Sequence, residues 1–137
     1  MHVFSLRVLL VGASGGLLFA LLDGLLFGSP LAQQMEQAFR PISRRRVIVP
    51  LGVAIDIVAS IIMAFVFALF SPLLPAGAAA AGLAFGLIVW FFRFFMSVGS
   101  QAVLLDVPWP SHAYTLIAGL LQMMALGLFY GLALRPR

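Results

Sequence analysis

The sequence contains no cysteine and no lysine, and only four of its 137 residues are acidic. Without cysteine, the chain cannot form disulfides, thiolate metal sites or a thiol nucleophile. Charged residues make up 9% of the chain, whereas a soluble globular domain carries about 25%. This shortage excludes a soluble globular protein, because too little polar surface is available to cover one.

Recognisable catalytic motifs are missing as well. The sequence has no phosphate-binding loop, nucleophile elbow, HExxH or paired-carboxylate motif, so we expect neither an enzyme nor a cofactor or metal site. His2 and His112 lie at opposite ends of the four membrane spans predicted below, so they cannot form one site, and we expect both at the protein surface. Nucleic acid is not an expected partner, because no soluble module is left to bind it.

Long apolar runs are what the sequence does have, since 64% of its residues are hydrophobic. A helix needs about 20 apolar residues to cross a bilayer, and four runs reach that length. They predict an all-α polytopic membrane protein, a single domain over 1–137 with four transmembrane helices in an antiparallel bundle. The predicted spans are 8–28, 47–70, 79–105 and 111–134. Ser29 and Pro30 begin a short amphipathic helix, about 30–40, in the interface plane, and Pro41 is expected to end it.

Half of the eight arginines lie in one loop between the first two long spans. Beside hydrophobic spans, such a cluster is typical of contact with anionic headgroups, and it favours the cytoplasmic side. We therefore expect a multi-pass protein of a bacterial inner membrane with this loop in the cytoplasm. Three further arginines on the terminal side leave dual topology open. The loop arginines are Arg40, Arg44, Arg45 and Arg46.

One arginine, Arg93, lies inside the third span, where a charge is costly unless it is paired or hydrated. The short connection after the second span predicts that the second and third spans form an antiparallel hairpin, which fixes their relative depth. Asp56 precedes Ser71 by 15 positions and Arg93 follows Gly77 by 16, so both lie about 23 Å from the connection. Equal depth predicts an ion pair between Asp56 and Arg93.

Three interpretations of this pair remain open. It could fix the register of two helices, or Asp56 could bind a proton or cation under the control of Arg93. In the third interpretation the charges do not meet, and Arg93 reaches headgroups or another chain. Asp23, near the end of the first span, is either a half-solvated acid paired with the loop arginines or Gln101, or the mouth of a polar half-cavity. That half-cavity would comprise Asp23, Asp56, Ser60, Arg93, Ser97, Gln101 and Gln122.

Family resemblance adds little to this picture. Small multidrug resistance transporters match poorly, because their essential acid is a glutamate in the middle of the first span. The chain loosely resembles small uncharacterised four-helix bacterial inner-membrane proteins, which share a break after the first span and a glycine-rich last span. Here those stretches are Leu26–Pro30 and Ser100–Pro108 through to Gly131. This resemblance implies a fold and no activity.

Function is therefore predicted in two forms. The first is a non-enzymatic accessory or structural subunit, which associates with itself or with a larger membrane complex. Glycine stripes with four-residue spacing favour it, because small residues let helices approach closely. The alternative is a small proton- or cation-coupled transporter that works as an oligomer through the polar half-cavity.

Overall fold

The computed structural model describes residues 4–35, 37–42 and 48–135, and all regular structure in these ranges is helical. Four helical segments are long and apolar enough to cross a membrane. They confirm the predicted all-α bundle and extend over Leu6–Phe27, Val49–Leu73, Ala78–Leu104 and Trp109–Leu134. We call the first α1, the part Val49–Phe70 of the second α3, and the last α6.

The third span contains two α-helices, α4 (Ala78–Trp90) and α5 (Met96–Leu104), which are joined by a π-helical turn at Phe91–Phe95. A π turn inserts an extra residue into the helix, and such turns are frequent at functional sites. Nothing in the run of apolar residues predicted it. Arg93 is the central residue of this turn.

The segment between α1 and α3 begins as predicted. Ser29 accepts a hydrogen bond from the backbone N–H of Ala32 and so caps α2 (Pro30–Met35). The chain then tightens into a 3₁₀ helix at Gln37–Ile42, which passes through Pro41, although Pro41 was expected to end the helix. Of the loop arginines, Arg40 is exposed, and Arg44, Arg45 and Arg46 lie outside the described residues.

The long helices pack chiefly in the order α3–α1–α6–α4. Glycines make the closest of these contacts. A Cβ on Gly16 would lie 2.4 Å from the Ile57 backbone of α3, and one on Gly127 would lie 2.2 Å from the Gly82 carbonyl of α4. No real side chain tolerates such distances, so these two helix pairs form only because glycine is present.

This order corrects the expectation that the second and third spans pack as neighbours in a hairpin. The connection after α3 is tight, with a 3₁₀ turn at Ser71–Leu73, but α3 makes its main contacts with α1 and α4 with α6. The glycine faces of α1 and α6 allow a closer approach than α3 and α4 offer each other. Near their connection the two helices touch through the rings of Phe67 and Phe85, 5.3 Å apart.

The core lies in the half of the bundle nearer the chain termini. Phe67, Phe85 and Tyr130 pack ring against ring, and the hydroxyl groups of Tyr130 and Ser60 lie 2.5 Å apart. At the same end, the guanidinium of Arg135 donates hydrogen bonds to the carbonyls of Ser71 and Pro75, which ties α6 to the connection between α3 and α4.

Candidate functional site: an acidic cavity within the bundle

A cavity of about 520 Å³ lies in the other half of the bundle, between α1, α3 and the π turn. Its walls are mostly apolar, and its charged side chains are Asp23, Asp56 and Arg93. Because α1 ends at Phe27 and α3 begins at Val49, and both residues are in the lining, the cavity extends to the end of the bundle that carries the arginine loop. The complete lining is Ala20, Asp23, Gly24, Phe27, Gly28, Val49, Gly52, Val53, Asp56, Arg93 and Phe94.

Helix geometry brings the two acids of this cavity together. Gly16 faces Ile57 where α1 and α3 cross, so Asp23 and Asp56 start at different depths on antiparallel helices. In a helix each Cα–Cβ bond tilts toward the N-terminus, and here the two tilts point toward each other. Asp56 is buried, with 7% of its surface exposed, and its carboxyl group lies within hydrogen-bonding range of that of Asp23.

Gln122 of α6 completes this cluster from the third side. Its side-chain Nε2 donates a 2.5 Å hydrogen bond to Oδ1 of Asp23. The side chain is fully buried, and its Oε1 has no hydrogen-bond partner in the described part of the chain. A buried amide oxygen without a donor is costly, and this one belongs to the amide that contacts the Asp23 carboxyl group. Gln122 therefore connects α6 to the Asp23 side of the acidic pair.

Arg93 lies at the edge of this cluster and not within it. Its guanidinium rests over the ring of Phe19 at 4.8 Å and over that of Phe94 at 5.5 Å. It acts on the Asp56 carboxyl group through its charge, but no salt bridge joins the two among the residues described. The predicted ion pair is therefore not formed directly, because α3 packs on α1 and Asp56 meets Asp23 there.

Of the other residues predicted to line the half-cavity, one contacts the acidic pair and the rest lie elsewhere. Gln122 joins Asp23 as described, whereas Ser60 bonds to Tyr130 in the packed half of the bundle. Ser97 is exposed and Gln101 partly exposed, and neither belongs to the cavity lining. Both follow the π turn, which shifts the face that α5 presents relative to a continuous α-helix.

Two glycines in the lining differ from those at the helix contacts. A Cβ added to Gly24 or Gly52 would meet no atom within 4 Å. Their small size therefore does not serve packing, and it keeps the cavity open near its mouth. The sequence signal was present, since Gly24 continues the four-residue stripe of α1, but spacing alone did not distinguish a packing glycine from a lining one.

His112 corrects a second expectation, because it is buried and not at the surface. Only 3% of its surface is exposed, and neither ring nitrogen has a hydrogen-bond partner within the described ranges. Ser111 and Tyr114, its neighbours on α6, donate to the carbonyls of Met35 and Leu26. Within the described ranges, no group of three histidine or acidic side chains is placed to hold a metal ion.

Comparison with known proteins assigns the chain to no family. No family model, no curated protein and no solved structure matches the chain. The protein is a multi-pass integral membrane helix bundle. Its outward faces carry apolar side chains such as Leu17, Val58 and Ile117, each more than half exposed, as expected of helices that contact lipid.

Proposed function

We propose that this membrane protein binds a proton or a small cation between Asp23 and Asp56 and moves it as a small transporter. The observation that carries the proposal is the meeting of these two carboxyl groups in one cavity inside the bundle, with the Gln122 amide hydrogen-bonded to one of them. Acidic side chains within transmembrane helices typically mark ion pathways or proton relays. Two of them in contact form a stronger signal than either alone.

Electrostatics explains why a cation belongs at this position. Two carboxylates that face each other in apolar surroundings repel, and each also loses the stabilisation it has in water. A proton or a cation between them removes both penalties. The Arg93 charge is too far away to pair directly, since its guanidinium lies over two aromatic rings. Its positive charge near the site would speed release of the bound cation.

The half of the bundle nearer the termini is tightly packed, and this favours a transporter that works as an oligomer. Beyond the cavity, toward the termini, Ser60, Tyr130 and Phe67 fill the interior. A cation that enters from the arginine-loop side therefore meets a packed barrier within one chain. Passage across the whole membrane therefore needs these helices to rearrange. Because α3 and α4 pack weakly on each other, a second copy of the chain could bind on this side and stabilise the rearranged helices.

Flux measurements on purified protein in liposomes test this proposal. With an imposed pH gradient, we expect proton or sodium flux that falls to the level of empty liposomes in Asp56→Asn and Asp23→Asn. Asp106→Asn is the matched control, because Asp106 is exposed and outside the cavity. All three variants must elute as folded protein in detergent. Flux that persists in both cavity variants, or that disappears equally in Asp106→Asn, contradicts the proposal.

An accessory subunit is the second candidate, and the cleft between α3 and α4 favours it. These helices are consecutive in the chain yet face each other across an apolar groove, which a helix of another subunit could fill. The glycine stripes no longer support this candidate, because Gly16, Gly82 and Gly127 pack within the chain. If it is correct, a cysteine placed at Ile62 should crosslink to one defined foreign subunit in native membranes, whereas one at Leu132 should not.

The arginines at the two ends of the bundle bear on how the protein is oriented in its membrane. The structure puts Arg7 and Arg135 at the end of the bundle opposite the loop that contains Arg40, since Arg7 bonds to the Ala133 carbonyl and Arg135 to the Ser71 carbonyl. We propose a bacterial inner membrane, with the arginine loop in the cytoplasm against anionic headgroups.

A further inference from the structure

A second and larger cavity, an open groove of about 790 Å³, runs between α3 and α4. Ligand sites usually have volumes of about 300–1,000 Å³. All of its lining side chains but one are apolar, and the exception is Arg93. The lining comprises Ala59, Ile62, Met63, Val66, Phe70, Leu73, Leu74, Phe85, Ile88, Val89, Phe92 and Arg93.

The groove is long and follows the helix axes. Its α3 residues lie between Ala59 and Phe70 at helical spacing and so share one face of the helix. The eleven positions from Ala59 to Phe70 rise about 16 Å, roughly half of the apolar thickness of a bilayer. The connection that begins with the 3₁₀ turn Ser71–Leu73 closes one end, and Arg93 lies at the other. A flexible apolar chain fits this shape better than a compact molecule does.

The cation at the open end is arranged to receive an anion. The guanidinium of Arg93 lies over the rings of Phe19 and Phe94, and its N–H groups form no hydrogen bond or ion pair within the part of the chain that the structure describes. A guanidinium edge matches a carboxylate, with two parallel hydrogen bonds. The π turn contributes to this position, because it places Arg93 in the lining of both the groove and the acidic cavity.

The depth of Arg93 in the membrane favours a fatty acid over a phospholipid as the bound anion. Phe19, over which the guanidinium lies, is eight residues before the end of α1, which corresponds to about 12 Å of helix. Arg93 itself is about 16 Å before the end of α5 at Leu104. A phospholipid keeps its phosphate at the membrane surface, whereas a single-chain carboxylate can place its small head group at this depth.

We propose that the groove binds a single-chain fatty-acid carboxylate, with its head group on Arg93 and its acyl chain between α3 and α4. The acyl chain fills the apolar groove, and the carboxylate neutralises an arginine that otherwise lies unpaired within the membrane. This site shares Arg93 with the acidic cavity but uses neither Asp23 nor Asp56, so palmitate crosslinking and cation flux can be measured separately. It would remain if the proposed function were wrong.

Photo-crosslinking of the full chain in phosphatidylcholine nanodiscs tests this site. The probes are palmitate and hexadecanol, each with a diazirine in the distal half of the chain. We expect saturable palmitate crosslinks on α3 and α4 within the groove. Arg93→Gln should raise the half-saturating palmitate concentration about tenfold, equivalent to about 1.4 kcal/mol, without changing that of hexadecanol. Arg93→Lys should retain most of the palmitate affinity, and Arg40→Gln is the charge control.

Filling the groove provides the second arm of the experiment. Ala59→Phe should abolish saturable crosslinking by both probes, because Ala59 lines the groove. Ala54→Phe adds the same volume on an exposed position of the same helix outside the lining and should leave it unchanged. Crosslinks spread evenly over all lipid-facing helices and insensitive to Ala59→Phe would show ordinary boundary lipid and overturn the proposal. Equal palmitate affinity in the wild type and Arg93→Gln would overturn it as well.

Discussion

Gly127→Ala is expected to leave little folded protein under conditions where the wild type is intact. The added Cβ would lie 2.2 Å from the Gly82 carbonyl and 2.8 Å from the Gly86 backbone. Neither neighbour is a flexible side chain, so α4 and α6 must move apart along their whole contact. Overpacking a core costs about 1–3 kcal/mol and occasionally more, and a clash between two backbones belongs at the upper end. The measurement is the midpoint of thermal unfolding in detergent.

Gly99→Ala is the matched control for this substitution, and its effect should have the opposite sign. Gly99 lies within α5, and a Cβ there meets no atom within 4 Å. Alanine favours a helix over glycine by about 1 kcal/mol, so this variant should unfold at the wild-type temperature or above it. Equal midpoints for Gly127→Ala and Gly99→Ala would show that α4 and α6 do not pack as described.

Gly52→Leu is expected to abolish cation flux while the protein stays folded. Gly52 lines the acidic cavity near its mouth, and its added Cβ has free space around it. A leucine side chain would therefore enter the cavity between solvent and the Asp23–Asp56 pair without disturbing the backbone. We expect flux in liposomes to fall at least about tenfold, or about 1.4 kcal/mol in the barrier to passage.

The control for this prediction adds the same side chain elsewhere. Gly99→Leu places a leucine at an exposed position outside both cavities, and its flux should match that of the wild type. The unfolding midpoints of both variants should lie near that of the wild type. Normal flux through a folded Gly52→Leu protein would mean that cations do not pass along this cavity. Loss of folding in Gly52→Leu would contradict the open space at that position.

The fold could be read from the sequence because hydropathy acts over whole helices. Four apolar runs and few charges leave a membrane bundle as the solution, and breakers such as Pro30 and Pro110 mark helix starts. The partners of each helix could not be read in the same way. The stripe through Gly12 and Gly16 predicted a close contact, but its spacing does not say which helix will fill it.

The candidate site was predicted in part for the same reason. Counting along the connection placed Asp56 and Arg93 at similar depth, and both do line one cavity. Depth, however, does not give lateral position, and Asp56 meets Asp23 because α1 lies against α3. The π turn at Arg93 follows from no breaker residue, and the burial of His112 follows from packing of α6 that its local sequence does not encode.

The packing order of the helices has a consequence for biosynthesis. A chain made from its N-terminus can pair α1 with α3 as soon as both are inserted, but the glycine face of α4 has no partner until α6 follows. Arg135 then closes the connection between α3 and α4 from the far end of the chain. From this order we expect the protein to assemble as two helix pairs, which α6 then joins.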